Sequence, residues 1–113
     1  MSVVLLGTDL MMGSRVHAAA DVAGVELVAV ASPDALPVAD GPRLLLVDWA
    51  ARTDAWGQAI ASWRDRHAAK VVLYGPHVDL EAHAAARAAN LGPMWARSRL
   101  IGELPALMAA AVA

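Results

Sequence analysis

The chain alternates between short apolar runs and longer segments in which apolar residues recur every three or four positions. Five of the runs are bounded by Gly, Pro or charged residues, a pattern typical of buried parallel strands. They occupy residues 3–6, 27–30, 44–47, 71–74 and 94–96. The intervening period of three to four predicts helices between the strands.

Four segments have helical spacing, and the first and third are followed by helix-stopping residues, Gly24 and then Gly92 with Pro93. They cover residues 11–23, 55–67, 80–89 and 101–112. The second helix should bury one face formed by Trp56, Ile60 and Trp63. Pro105 fits the last helix only if it lies in the first turn, because proline lacks a backbone N–H. Residues 32–42 contain three prolines, which leaves room for at most a turn or two of helix.

Strands that alternate with helices predict an α/β fold in which helices cover both faces of a parallel sheet. For one domain spanning residues 1–113, the most economical choice is a flavodoxin-like three-layer sandwich with strand order 2-1-3-4-5. The ligand crevice of that fold lies at the carboxyl ends of strands one and three. Asp9 and Asp48 follow these strands, so we expect both in one pocket, with Asp48 just past the last buried residue.

Composition narrows the class of protein. The 58% hydrophobic content is largely alanine, and charge, Gly or Pro interrupts each apolar run well before the ~20 residues of a membrane helix. The N-terminus has no export signal, and the absence of cysteine excludes disulfides and thiolate chemistry. Scattered arginines and a net charge of -2 give no basic stripe for nucleic acid. We therefore expect a cytoplasmic protein that binds neither membranes nor nucleic acid.

Two acidic motifs resemble the receiver domain of bacterial two-component response regulators, and the similarity covers nearly the whole chain. In that family an acidic pair follows strand one and a phospho-accepting Asp ends strand three. The motif LLGTD places Asp9 at the second acid and Thr8 where the first would stand. The motif LLLVDWA places Asp48 at the phospho-acceptor.

The switch positions of the family are replaced in this chain. The motif VVLYGPH has Gly75 where receivers carry a Ser or Thr, and MWARSR has Arg97 where they carry a Lys, followed by Ser98 where Pro is usual. Arg suits carboxylate and phosphate but is not interchangeable with Lys in a crowded site. The resemblance therefore implies an atypical, degenerate receiver.

The replacements imply impaired phosphorylation. Mg²⁺ requires several oxygen ligands, and Asp9 and Asp48 alone would hold it weakly. We therefore expect that no cofactor is required and that acetyl phosphate with Mg²⁺ gives little or no acyl phosphate on Asp48. Because no effector domain follows, output should pass through a protein partner or self-association. By resemblance, the contact face would include Arg87, Asn90, Trp95 and Arg99.

Structural interpretations stand beside these roles. Asp48 can cap its strand and pair with Arg97, the pairing we predict if phosphotransfer has been lost. Asp9 is equally suited to be the N-cap of the first helix. Tyr74 and the four tryptophans are typical of core packing, although Trp95 can also lie on the contact face.

The histidines give a weaker signal. His77 lies in the turn-rich motif YGPHVD, either at the pocket edge or simply on a surface loop, and Asp79 is placed to cap the following helix. His17, His67 and His83 lack the mutual spacing of metal ligands.

The alternative function is a small-ligand or nucleotide-binding domain that uses the loop after strand one. The motif GTDLMMGSR brings Gly7, Gly13, Ser14 and Arg15 near a helix N-terminus, which favours anions. Its spacing matches neither the P-loop nor the dinucleotide fingerprint, Asp9 would repel an anion, and Met11 and Met12 are typical of core. Independent catalysis has less support, because no nucleophile accompanies a His base and no metal-ligand cluster occurs.

Overall fold

The apolar runs form one parallel sheet, seen in a computed structural model that describes residues 2–112. The strands are β1 (Ser2–Leu6), β2 (Glu26–Val30), β3 (Pro42–Asp48), β4 (Lys70–Tyr74) and β5 (Met94–Trp95). The α-helices are α1 (Leu10–Ala23), α2 (Trp56–His67), α3 (Leu80–Ala88) and α4 (Arg97–Val112). Each predicted strand and helix is present within a few residues of its expected bounds.

All neighbouring strands are parallel, and their order is β2-β1-β3-β4-β5. Helices α1 and α4 pack on one face of the sheet, and α2 and α3 pack on the other. This arrangement confirms the predicted flavodoxin-like three-layer fold. Among residues 2–112, no helix is both long and apolar enough to cross a membrane.

Strand β3 separates two hydrophobic cores. Leu45 and Val47 point into the core beneath α2 and α3, here called the α2–α3 core, whereas Leu44 and Leu46 point into the α1–α4 core. Successive side chains of a strand face opposite sides of a sheet. A central strand covered on both sides must therefore be apolar at every position, which explains the uninterrupted run LLLV.

The acid at the end of this run lies deeper than predicted. Asp48 is the final residue of β3, pairs in register with Tyr74 of β4, and is only 7% exposed. The expectation that it lies past the last buried residue was therefore wrong, because the ladder with β4 continues one residue further than the apolar pattern.

The last helix also begins earlier than predicted, at Arg97 instead of residue 101, so Pro105 lies in its interior and not in its first turn. Leu100 and Leu104 are both buried in the α1–α4 core, which favours the additional turn. Pro105 is exposed and, because it lacks an N–H, it leaves the Ile101 carbonyl without its helical donor.

The proline-containing segment covers the sheet without an α-helix. It contains one turn of 3₁₀ helix at Pro33–Ala35, which agrees with the predicted limit of a turn or two. Leu36 is buried in the α2–α3 core, and Trp63 Nε1 donates to the Pro37 carbonyl at 2.8 Å. One apolar side chain and one hydrogen bond thus anchor this segment against α2.

Candidate functional site

The candidate site lies at the carboxyl edge of the sheet, where Asp9 follows β1, Asp48 ends β3, Tyr74 ends β4 and Arg97 follows β5. The guanidinium of Arg97 donates to Asp9 Oδ2 in an ion pair that joins residues 88 positions apart. The charges of both residues also act on Asp48. The structure therefore brings the three charged residues expected from the sequence into one site.

The ion pair differs from the predicted one, because Arg97 bonds to Asp9 and not to Asp48. Asp9 is half-buried at the start of α1, and the 45% exposed Arg97 side chain reaches it across the ring of Tyr74, 5.7 Å from the ring centroid. Asp48 lies at the end of its strand and is more deeply buried than Asp9. The predicted Asp48–Arg97 pairing was wrong because the carboxylate that Arg97 reaches is the shallower one.

Both carboxylate oxygens of Asp9 accept hydrogen bonds. Its Oδ1 accepts the backbone N–H groups of Met11 and Met12 at 3.1 and 3.2 Å, so Asp9 is the N-cap of α1, while its Oδ2 accepts from Arg97. The hydrogen bond from Arg97, followed by the one from Met12, lowers the pKa of Asp9. The same bond raises the pKa of Arg97. Both groups are thus held in their charged forms.

Asp48 has the opposite electrostatic environment. Burial raises the pKa of its carboxyl, and the charge of Asp9 raises it further, against the opposing charge of Arg97 and a backbone hydrogen bond from Ala50. Its Oδ1 is inaccessible and has no hydrogen-bond partner among the described residues. A buried oxygen in this state favours the protonated carboxyl, since an isolated charge is costly to bury.

Two glycines shape the space around Asp48. A Cβ on Gly7 would lie 2.7 Å from Asp48 Cβ and 3.6 Å from Tyr74 Oη, so the Gly7 backbone packs directly against the acid. A Cβ on Gly75 would lie 2.9 Å from Met94 Sδ. The space beside Gly75 is therefore occupied by the Met94 thioether.

The donor set around Asp48 does not fit a magnesium ion in this arrangement. Mg²⁺ requires near-octahedral oxygen coordination, whereas one Asp9 oxygen is bonded to Arg97 and the other caps α1. Thr8 is exposed. Within residues 2–112, no group of three or more His, Asp or Glu side chains is placed to hold a metal.

His77 is exposed on the loop after β4, and its carbonyl lies 2.8 Å from His83 Nε2. The hydrogen bonds and ion pairs of the described residues do not connect it to Asp9, Asp48 or Arg97. Asp79 caps α3 by accepting from Ala82 N at 3.0 Å, as predicted.

The predicted contact face divides into exposed and half-buried residues. Arg87, Asn90 and Arg99 are exposed, whereas Trp95 packs at the margin of the α1–α4 core. The guanidinium of Arg99 covers the Trp95 ring at 4.0 Å and also bonds to Glu103 at 2.8 Å. Tyr74 and the other three tryptophans are buried, which confirms their core assignment; the tryptophans are Trp49, Trp56 and Trp63.

Sequence reasoning missed the apolar surface at this edge. Leu10 and Met11 at the start of α1 are 88% and 78% exposed, and Val78 and Leu80 beside the start of α3 are 75% and 80% exposed. The prediction that Met11 belongs to the core was therefore wrong, whereas that for Met12 was confirmed. The spacing of apolar residues did not predict this exposure, because a short motif does not determine whether the first turn of a helix faces the core or the solvent.

The alternative anion cradle after β1 has its amides already occupied. The N–H groups of Met11 and Met12 bond to Asp9, and Gly13 lies inside α1 with Ser14 and Arg15. A phosphate at this helix N-terminus would have to displace a carboxylate that Arg97 also holds.

A search of protein-family models, of curated proteins and of solved structures finds no significant match to this chain.

Proposed function

We propose that this chain is an atypical receiver-like signalling domain that acts through protein–protein contact without phosphorylation of Asp48. The observation that carries the proposal is the bond between Arg97 and Asp9, which engages the acid that would help to hold a metal while Asp48 stays buried. The strand order and the position of Asp48 at the end of β3 support the receiver-like part.

Loss of phosphotransfer follows from the state of Asp48. A carboxylate attacks a phosphoryl donor as an anion that the donor can reach, and a bound cation neutralises the transferred group. Asp48 is 7% exposed, and burial raises the pKa of its carboxyl, which disfavours the anion that would act as the nucleophile. The basic partner from the end of β5 is committed to Asp9.

Protein contact is supported by the apolar side chains at the same edge. Helices α1 and α3 each begin at the carboxyl edge, after β1 and β4, and only β3 separates these two strands. Leu10, Met11, Val78 and Leu80 therefore all lie at the carboxyl edge that holds the Asp9–Arg97 pair, with α1 and α3 on opposite faces of the sheet, and we name these four residues the edge patch. Exposed apolar groups of this kind supply the surface for contact with a partner protein.

Incubation with acetyl phosphate and Mg²⁺, followed by intact-mass analysis, tests the loss of phosphotransfer. The natural sequence should stay unmodified. The matched variant combines Thr8→Asp, Gly75→Ser and Arg97→Lys, which restores the residue types of a receiver. Serine at position 75 requires only that the flexible end of Met94 moves. This variant should gain one phosphate that Asp48→Asn abolishes, whereas phosphorylation of natural Asp48 would contradict the proposal.

Site-specific photo-crosslinking in the producing cell tests the edge patch. Leu80 and Val38 are both 80% exposed, so they form a matched pair that differs in position and not in accessibility. A photoreactive residue at position 80 should give a discrete adduct with a protein, and one at position 38 should not. Equal labelling at both positions, or none at position 80, would refute a contact through this edge.

A further inference from the structure

The opposite, amino-terminal edge of the sheet carries a cleft of about 570 Å³. Its walls come from the starts of β3 and β4, the end of α2 and the last turns of α4. Because the strands are parallel, this cleft lies at the other end of the sheet from Asp48. Its volume falls within the range of about 300–1,000 Å³ that is usual for small-molecule sites.

Three cationic side chains from three different elements converge on this cleft. They are Arg43 of β3, Arg66 of α2 and Lys70 of β4, and all are exposed. Lys70 pairs in register with the residue that follows Arg43, which places these two on neighbouring strands. Among residues 2–112, no carboxylate lies within ion-pair distance of any of the three. The cleft lining contributes one carboxylate, that of Asp40, in a chain whose net charge is -2.

The dipole of α2 explains the position of only one of these three cationic side chains. A helix C-terminus carries roughly half a negative elementary charge, and basic residues in the last turn are stabilising there. Arg66 occupies such a position. Arg43 and Lys70 belong to strands, so the helix dipole gives no reason for their convergence. A concave surface that gathers one sign of charge concentrates ions of the opposite sign.

Apolar residues also line the cleft, namely Leu44 of β3 and Leu107, Ala110 and Ala111 of α4. Ala110 is exposed, whereas the other three are buried. Exposed cationic groups opposite the apolar side of α4 suit a ligand that combines an anionic head with a less polar body. Arginine forks match phosphate oxygens in a bidentate geometry.

We propose that this cleft binds a small-molecule diphosphate with a less polar organic body, which is the chemistry of a nucleoside diphosphate. The diphosphate lies against Arg43, Arg66 and Lys70, and the organic body lies against the exposed side of α4 at Ala110. This site is separate from the loop after β1 and from the edge patch, and it does not depend on the proposed signalling function.

Amide-detected NMR titration of the full chain with ADP, inorganic pyrophosphate and adenosine tests the proposal. ADP should give saturable shifts confined to residues around positions 40–44, 66–70 and 107–111. Pyrophosphate and adenosine should each bind at least fivefold more weakly, since each offers half of the chemistry. Added salt should weaken ADP binding severalfold, because exposed charges are screened.

Four single variants assign the contacts. Arg43→Gln and Lys70→Gln should each weaken ADP binding at least fivefold, and Asp40→Asn should tighten it at least twofold, a gain that misfolding cannot produce. Arg87→Gln makes the same charge change at an exposed arginine of α3 and should leave the affinity unchanged.

Three outcomes would each overturn the proposal: shifts that do not saturate at millimolar ADP, pyrophosphate binding as tight as that of ADP, or equal weakening by Arg87→Gln. None of them bears on the crosslinking or phosphorylation tests, which concern the other edge of the sheet.

Discussion

At the scale of single residues, the carboxyl edge contains two aspartates in contrasting states. Asp9 caps a helix and has its pKa lowered by the bond from Arg97, whereas Asp48 is buried and its Oδ1 has no partner within residues 2–112. Arg97 is 45% exposed, so solvent screens the ion pair and limits its energy. Desolvation therefore acts mainly on Asp48, where it disfavours the charged form.

The ion pair predicts energetic coupling between positions 9 and 97. In a double-mutant cycle of Arg97→Ala and Asp9→Asn, we expect a coupling energy of about 0.5–1 kcal/mol in the free energy of unfolding. Asparagine remains a good N-cap, so Asp9→Asn removes the charge and preserves the cap. Urea unfolding of the four proteins measures the coupling. A larger coupling of Arg97 with Asp48→Asn than with Asp9→Asn would contradict the observed pairing.

The raised pKa of Asp48 predicts a pH-dependent effect of Asp48→Asn. The folded state holds this proton more tightly than the unfolded chain does, so Asp48 stabilises the fold at low pH. That stabilisation is lost as pH rises from the ordinary value of 3.8 through the folded-state pKa. At pH 7 the variant should unfold with a free energy on the order of 1 kcal/mol higher than the natural chain.

Urea unfolding from pH 3 to pH 8 measures this difference, which should shrink or reverse at the acidic end. Asp54→Asn removes an exposed carboxylate from the loop after β3 and should change stability little at any pH. A variant at position 48 that is less stable than the natural chain at pH 7 would disprove a destabilising buried acid.

At the scale of elements, the turn after β1 is fitted to the end of β3. Gly7 has a φ of +156°, and its missing side chain leaves room for Asp48. Gly41, before β3, has a φ of +129°, but among residues 2–112 no atom outside its chain neighbours lies within 4 Å of its would-be Cβ. A side chain at position 41 would therefore meet backbone strain only, whereas one at position 7 would meet backbone strain and a steric clash with Asp48.

This comparison predicts different costs for two alanine substitutions. Gly41→Ala should lower the free energy of unfolding by about 1–2 kcal/mol through backbone strain alone. Gly7→Ala should cost about 1–3 kcal/mol more, because the new methyl group would lie 2.7 Å from Asp48 Cβ. Chemical denaturation measures both. Equal losses in the free energy of unfolding would mean that the Asp48 side chain can move away from the new methyl group without an energetic penalty.

At the scale of the whole molecule, a single sheet joins two cores that share β1, β3 and β4. The two buried leucines Leu45 and Leu46 are adjacent in sequence yet belong to different cores. A sheet that is central to both cores couples the two helical layers, because detaching either layer exposes one apolar face of the same strands that hold the other layer.

The shared sheet predicts cooperative unfolding. Leu45→Ala and Leu46→Ala should each cost about 2–5 kcal/mol and leave one transition. Far-UV circular dichroism and tryptophan fluorescence should report coincident midpoints for each variant. Leu10→Ala, at an 88% exposed position, should have little effect. Two separate transitions in Leu46→Ala would show that α1 and α4 unfold on their own.

Strand order and layering could be predicted from the sequence. They depend on the periodicity of each segment and on the length of the chain, and both can be read directly from the residues. The helix N-caps Asp9 and Asp79 were predictable for the same reason, since a cap acts over three residues. Bounds were less predictable at Arg97 and Asp48, where tertiary packing extended an element past its local signal.

The sequence by itself determined a parallel α/β sandwich that gathers Asp9, Asp48 and Arg97 at one edge, because buried strands impose continuous apolar runs and parallel strands end at the same side. Only the tertiary structure decided that Arg97 bonds to Asp9, that Asp48 is buried, and that Arg43, Arg66 and Lys70 share a cleft at the other edge. The reason is physical: ion pairing and desolvation depend on side-chain depth and direction, which residues distant in sequence fix together when they pack.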